Sequence, residues 1–413
     1  MRAISFFLPK ILLIFALQLP SAVQPLNAQS FEFSGNRKNQ TISFNLIQNL
    51  VIIPLYINGT GPYNFILDTG VGPMVITDTT LAQKLELKNL RPIKIAGLGK
   101  GLEIDAFVTH NISARIGKAE ISNIPTAILK QDLLNLSNYV GIPICGLIGY
   151  HFFNSFVVEL RYTARRLKFH RPETKRRIEG EAIPIKIENN KPYVNVEVDI
   201  PEIGQKTMKM VVDNGASHAI SLETLNGKTF PVTGKSIRAN LGIGLSGPID
   251  GSIGRISTLK IGGFILKNLI SSYPDYDNLA LQTLISNRNG SLGAEVLSRF
   301  NITFDYNNDL MYLTQNYNFK RPFEHDMSGI ELYVSYSPQK RYYISRIESG
   351  SPAMDAGLLE GDELISINFT SVNAMDLDEI SRMMRTNDGR TLYLAINRNG
   401  DLLIRSIKLK KRI

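Results

Sequence analysis

Between residues 40 and 316 the chain is built of short apolar runs rich in β-branched residues and broken by glycine or small polar clusters. Ile52 to Asn58 and Val194 to Ile200 alternate apolar and polar positions, the period-two pattern of strands with one buried face. Phe65 to Asp68 and Met208 to Asp213 are continuous apolar runs that each end on an acid. Helical spacing is sparse there. After about residue 318 the pattern changes: Tyr342 to Ile347 predicts a strand, Leu377 to Met384 a helix, and Leu392 to Asn397 and Leu403 to Leu409 closing strands. The expectation is a mainly β protein followed by a separate α+β unit.

The apolar pattern repeats. Phe65-Ile66-Leu67-Asp68-Thr69-Gly70 corresponds to Met210-Val211-Val212-Asp213-Asn214-Gly215, 145 residues later. A second block, Gly146-Leu147-Ile148-Gly149 with Phe156 and Tyr162, corresponds to Gly290-Ser291-Leu292-Gly293 with Phe300 and Tyr306, 144 residues later. Two blocks sharing nearly one offset predict two duplicated domains. Each half also carries a glycine-rich turn, around Gly97, Gly99 and Gly101 in the first and Gly242, Gly244 and Gly247 in the second. The second reads as a dinucleotide-binding string, but Pro248 follows at once and no helix opens behind it to receive a pyrophosphate. A hairpin tip is the better reading.

Composition narrows the setting. Among 413 residues, 43% are hydrophobic and 20% charged, enough to build substantial cores. Arg2 and Lys10 with the apolar run Ile11 to Leu19 and small residues through Ala28 form a signal-peptide pattern over residues 1–28, with Ala22 as a second cleavage position and a retained membrane anchor as the alternative. The run is too short to span a bilayer, so an exported mature chain without a transmembrane span is expected, periplasmic or secreted. Cys145 is the one cysteine, which excludes an intramolecular disulfide and predicts a buried core thiol. The net charge of +9 gathers at Arg165, Arg166, Lys168, Lys175, Arg176 and Arg177 without interleaved aromatics, which argues for a solvated linker and against nucleic acid. His110, His151, His170, His218 and His325 show no metal-ligand spacing, so no metal and no cofactor is expected.

An acid at the end of a buried strand needs a partner or a task, because desolvation of a carboxylate is costly. Two such acids meeting across a lobe interface can share one proton, one acting as base on a water and the other as acid toward a carbonyl. Gly70 and Gly215 allow close backbone approach, and the Thr69 hydroxyl can lock the lobes together; Asn214 could do so only differently. These residues resemble the aspartic peptidases, in which an apolar-apolar-Asp-Thr/Ser-Gly motif and a later apolar-apolar-Gly segment recur in two lobes. The resemblance covers roughly residues 45 to 315. It implies two acid-protease-type β-barrel lobes, a catalytic pair Asp68 and Asp213, dyad support from Thr69, Gly70, Asn214 and Gly215, and flaps at the two glycine-rich turns.

Three departures stand out. Asn214 replaces the second Thr or Ser, which predicts an altered interlobe network. Ser291 dilutes the second apolar-apolar-Gly element. Val71 and Ala216 make the pair similar to retroviral-type members, with fewer hydrogen bonds to the ionised form and an optimum nearer neutrality expected. Farther on, Ser351-Pro352-Ala353, Ala356-Gly357-Leu358 and Gly361-Asp362 with Ile365, Ile367 and Asn368 resemble the PDZ domains of bacterial exported proteases. That resemblance implies strand-addition binding of a peptide, often by its C-terminus, with Arg341, Tyr342, Tyr343 and Ile344 as carboxylate loop and receiving strand; a brace that binds nothing is the alternative. The expected organisation is a leader at 1–28, lobes at 40–172 and 183–316 joined by a linker at 173–182, and a PDZ-like domain at 326–411. The expected function is an exported aspartic endopeptidase acting on peptide or protein substrates, with one chain sufficient for catalysis. A peptide-binding scaffold with impaired catalysis is the alternative.

Overall fold

The computed structural model describes residues 30–95, 103–174, 176–244, 247–275, 287–336 and 339–413. The segment expected to be a leader and the turn holding Gly97, Gly99 and Gly101 lie outside the described residues. In the first lobe, Leu50–Ile57 and Thr60–Leu67 form a hairpin whose turn residues Asn58 and Gly59 both take positive φ, the requirement of a tight two-residue loop. The strand Gly146–Ile148 then inserts beside the acid-bearing strand, parallel to Phe65–Leu67 and antiparallel to Met74–Ile76.

The second lobe repeats this arrangement. Lys191–Ile200 pairs with Gly204–Asp213, and Gly290–Gly293 runs parallel to Met210–Asp213 while lying antiparallel to Ile220–Leu222. Gly146 and Gly290 are required at these crossings, since a Cβ would stand 2.0 Å from the Val75 carbonyl oxygen in one lobe and 1.8 Å from that of Ser221 in the other. Lys191–Ile200 also pairs with Gly247–Ile261, so the second sheet curls back on itself.

A sheet built from both lobes joins them. Its order is Glu181–Pro184, Leu310–Gln315, Phe300–Asp305, Val157–Arg161, Arg166–His170 and Asn39–Ser43, so each lobe supplies three strands in mirrored sequence. Phe153 packs on Phe304 and stacks on Tyr306 across this seam, with ring centroids 5.2 and 5.7 Å apart, and one continuous core runs through both lobes. Arg165 and Arg166 therefore belong to a hairpin of this sheet, and Glu181 already pairs with Leu313, inside the segment expected to be linker. Cys145 is buried, and burial pushes its thiol up to about 12.

The C-terminal domain has its own core and a sheet ordered Ile330–Ser335, Arg341–Ile347, Glu363–Ile367, Thr391–Arg398 and Asp401–Lys408. The helix Leu377–Met384 opens on a capping box between Asp376 and Glu379. The expected receiving strand is corrected here: Arg341, Tyr342, Tyr343 and Ile344 lie on an interior strand, bonded on one side to Ile330–Ser335 and on the other to residues 361–364. Tyr342 and Ile344 are core residues with no free strand edge. Ile330–Ser335 is instead the end strand on that side of the sheet, pairing only with Arg341–Ile347.

Candidate active site

Asp68 and Asp213 stand at equivalent strand ends and meet between the lobes. The Asp68 N–H donates to the Ile148 carbonyl, so the apolar-apolar-Gly strand fixes the height at which the acid leaves the sheet. The Gly70 N–H donates to Asp68 Oδ1 at 2.6 Å, and the Gly215 N–H to Asp213 Oδ1 at 3.1 Å. Each carboxyl group also lies over the other lobe's glycine. A Cβ on Gly215 would fall 2.1 Å from Asp68 Cγ, and one on Gly70 would fall 3.0 Å from Asp213 Cγ. Burial, then the charge of Asp213, pushes the Asp68 carboxyl well above the ordinary range; the Gly70 N–H opposes the shift and the hydrogen bond between the two carboxyl groups adds to it.

Thr69 and Asn214 tie the lobes together beneath the acids. The Thr69 hydroxyl donates to the Val212 carbonyl at 2.7 Å and accepts from the Asn214 N–H at 3.1 Å. In the other direction the Thr69 N–H donates to Asn214 Oδ1 at 2.7 Å. The asparagine thus supplies the acceptor a threonine hydroxyl would supply, but its Nδ2 finds no hydrogen-bond partner among the described residues. Beside it lies the Tyr162 hydroxyl, also without an aligned partner; burial pushes this phenol up and the Asn214 amide pulls the other way. Tyr306, its counterpart in the repeat, is buried within reach of Asp68, and burial followed by that charge raises its hydroxyl well above the usual range. The repeat had aligned these two tyrosines, but only the fold brings them under the acids.

Ser217 and His218 do not act together. The Ser217 hydroxyl meets that of Tyr139 at 3.0 Å, and His218 Nε2 meets Ser291 Oγ at 2.9 Å, so Ser291 holds the loop that follows Asp213. Burial lowers the His218 pKa. Gly242, Gly244 and Gly247 sit at the tip of the hairpin formed by Ile237–Gly244 and Gly247–Ile261, with φ of +121° at Gly242 and +106° at Gly247. This hairpin is held against the PDZ-like domain: Asn240 Nδ2 donates to Glu331 Oε2 at 3.1 Å, and Arg346 pairs with Asp250 at 3.4 Å. On the first lobe, the Gln48 N–H donates to Asp378 Oδ1 and the Tyr336 hydroxyl to the Gly141 carbonyl. A cavity of about 720 Å³ lies among these parts, lined by Ser217 and His218, by Asn240, and by Leu332, Leu377 and Met384.

Residues 53–152 match the family model described as aspartyl protease, and residues 343–398 match that described as PDZ domain. A solved aspartic proteinase from Irpex lacteus is similar at 10% identity with a TM-score of 0.38, over 68% of this chain and 99% of that one. The protein is mainly β, with acid-protease-type lobes and a PDZ domain, and the matched segments support a peptidase carrying a PDZ module.

Proposed function

We propose that the chain is an aspartic endopeptidase in which Asp68 and Asp213 share one proton. The observation that carries this reading is the meeting of the two carboxyl groups across the lobes, each seated on the other lobe's glycine. Burial and the neighbouring acid raise the Asp68 pKa, so this reading gives the shared proton to Asp68 and the role of base to Asp213. A water between them loses a proton to Asp213 as its oxygen adds to the scissile carbonyl, while Asp68 protonates the carbonyl oxygen. The tetrahedral diol then collapses: the C–N bond breaks, the amine leaves with a proton from Asp213, and Asp68 takes a hydroxyl proton back.

The PDZ domain positions the polypeptide, since the cavity beside its Ile330–Ser335 edge opens toward the loop after Asp213. One chain supplies both acids, so a monomer suffices. The N-terminal pattern of residues 1–28 supports export to the periplasm or beyond. The test is hydrolysis of an unfolded protein by wild type, Asp68→Asn and Asp213→Asn. Turnover lost in both variants is expected; binding without turnover in the wild type would favour a scaffold, and unchanged turnover in either variant would remove the dyad.

A further inference from the structure

Lys191 opens the Lys191–Ile200 strand, whose antiparallel register pairs Tyr193 with Val211. Carried two residues farther along each strand, that register sets Lys191 opposite Asp213 on the same face of the sheet. Its neighbour Asn190 reaches the first lobe, with Cβ 3.5 Å from where a Cβ on Gly72 would stand. Lys191 therefore stands where the lobes meet, beside the acids.

The side chain is partly buried, and among the described residues its ammonium has no ion pair and no hydrogen bond. Arg288, Asp213, Asp68 and Glu223 are the charged groups around it. Arg288 is bound to Glu223 through Nε at 2.6 Å and through its terminal nitrogen at 3.0 Å, so that carboxylate is engaged. The two acids of the dyad stay beyond ion-pair distance. A partly desolvated ammonium held by no salt bridge and no hydrogen bond has capacity left for an anionic partner that arrives with the ligand.

We propose that Lys191 is a specificity-determining residue whose ammonium receives a carboxylate of the polypeptide being cut, selecting aspartate or glutamate within one or two residues of the scissile bond. This rests on the peptidase reading. The reach is suitable, because an extended substrate advances about 3.4 Å per residue and a cross-strand neighbour of Asp213 begins about 5 Å away. The rival role, compensation of the dyad's charge, fits less well. Neither acid of the dyad comes within ion-pair distance of the ammonium, and Glu223 is already bound to Arg288.

The test uses matched peptides with glutamate or glutamine at each position flanking the cleaved bond, on wild type, Lys191→Met and Lys191→Arg, with circular dichroism to show that each folds. At one position the wild type should prefer glutamate by about tenfold or more in kcat/KM, as expected of a charge-assisted contact. Lys191→Met should bring that ratio close to one through KM, and Lys191→Arg should keep most of it. Equal cleavage of both peptides by wild type, a ratio untouched in Lys191→Met, or a uniform loss with a displaced pH profile would overturn the proposal. The same peptides are titrated by fluorescence anisotropy into Asp68→Asn and into the Asp68→Asn, Lys191→Met double variant. If the wild type cleaves nothing, the peptidase reading falls by itself. A glutamate preference in binding that vanishes with Lys191 would then still support the assignment, and no preference would overturn it.

Discussion

A methyl group on Gly215 would stand 2.1 Å from Asp68 Cγ, so Gly215→Ala must displace the acid or separate the lobes. The expected outcome is loss of activity by at least about a hundredfold with about 1–3 kcal/mol of destabilisation, measured by peptide hydrolysis and urea unfolding. Thr69→Val removes a hydroxyl that both donates to the Val212 carbonyl and accepts from the Asn214 N–H. Two buried backbone groups are left unpaired, for a loss of about 2–4 kcal/mol in the same unfolding measurement. Asp68 gives a pH signature with a definite sign. Its folded pKa lies above the unfolded value, so its contribution to stability is full below about pH 4 and is lost as pH rises through the raised value. Asp68→Asn should therefore melt higher than wild type at pH 7, by about 2–5 °C, with the gap closing toward pH 3. Activity in the wild type should hold above the ordinary carboxylate range before its alkaline limb.

At the scale of elements, chain pattern located the strands better than their lengths. Phe65 to Asp68 was visible as an apolar run, but the strand extends back to Thr60, because its polar half hydrogen-bonds across the Asn58-Gly59 turn in register with Leu50–Ile57. The helix expected at Leu377 to Met384 forms over those residues, closed at its start by Asp376 and Glu379. Asp376→Ala should cost the PDZ domain about 1 kcal/mol, read as a lower midpoint for that domain's unfolding. Which strand of this domain ends the sheet is not legible in the sequence. Arg341 to Ile347 and Ile330 to Ser335 are both short apolar-polar runs, and only pairing with residues 361–364 assigns the former to the interior.

For the whole molecule, the arrangement of cores predicts how it comes apart. The lobes share one core and a six-stranded sheet, whereas the PDZ domain has a core of its own and meets the lobes through contacts that include Gln48 to Asp378 and Asn240 to Glu331. Calorimetry should resolve one transition for the pair of lobes and another for the PDZ domain. A single proteolytic nick between residues 171 and 180 should leave the two fragments together on size exclusion under native conditions, since the shared sheet outlasts the cut.

Periodicity, the repeated acid motif and its spacing by themselves fix two equivalent β lobes, two acids at strand ends and a separate C-terminal domain, because these features are local patterns written into neighbouring residues. The tertiary structure alone decides how the lobes are joined. Asn214 illustrates the difference: as a residue type it signals a departure, while its Oδ1 bond to the Thr69 N–H depends on a partner in the other lobe. Tyr162 beneath that amide and Lys191 opposite Asp213 owe their positions to strand register and lobe closure, long-range pairings for which a single sequence carries no local signal.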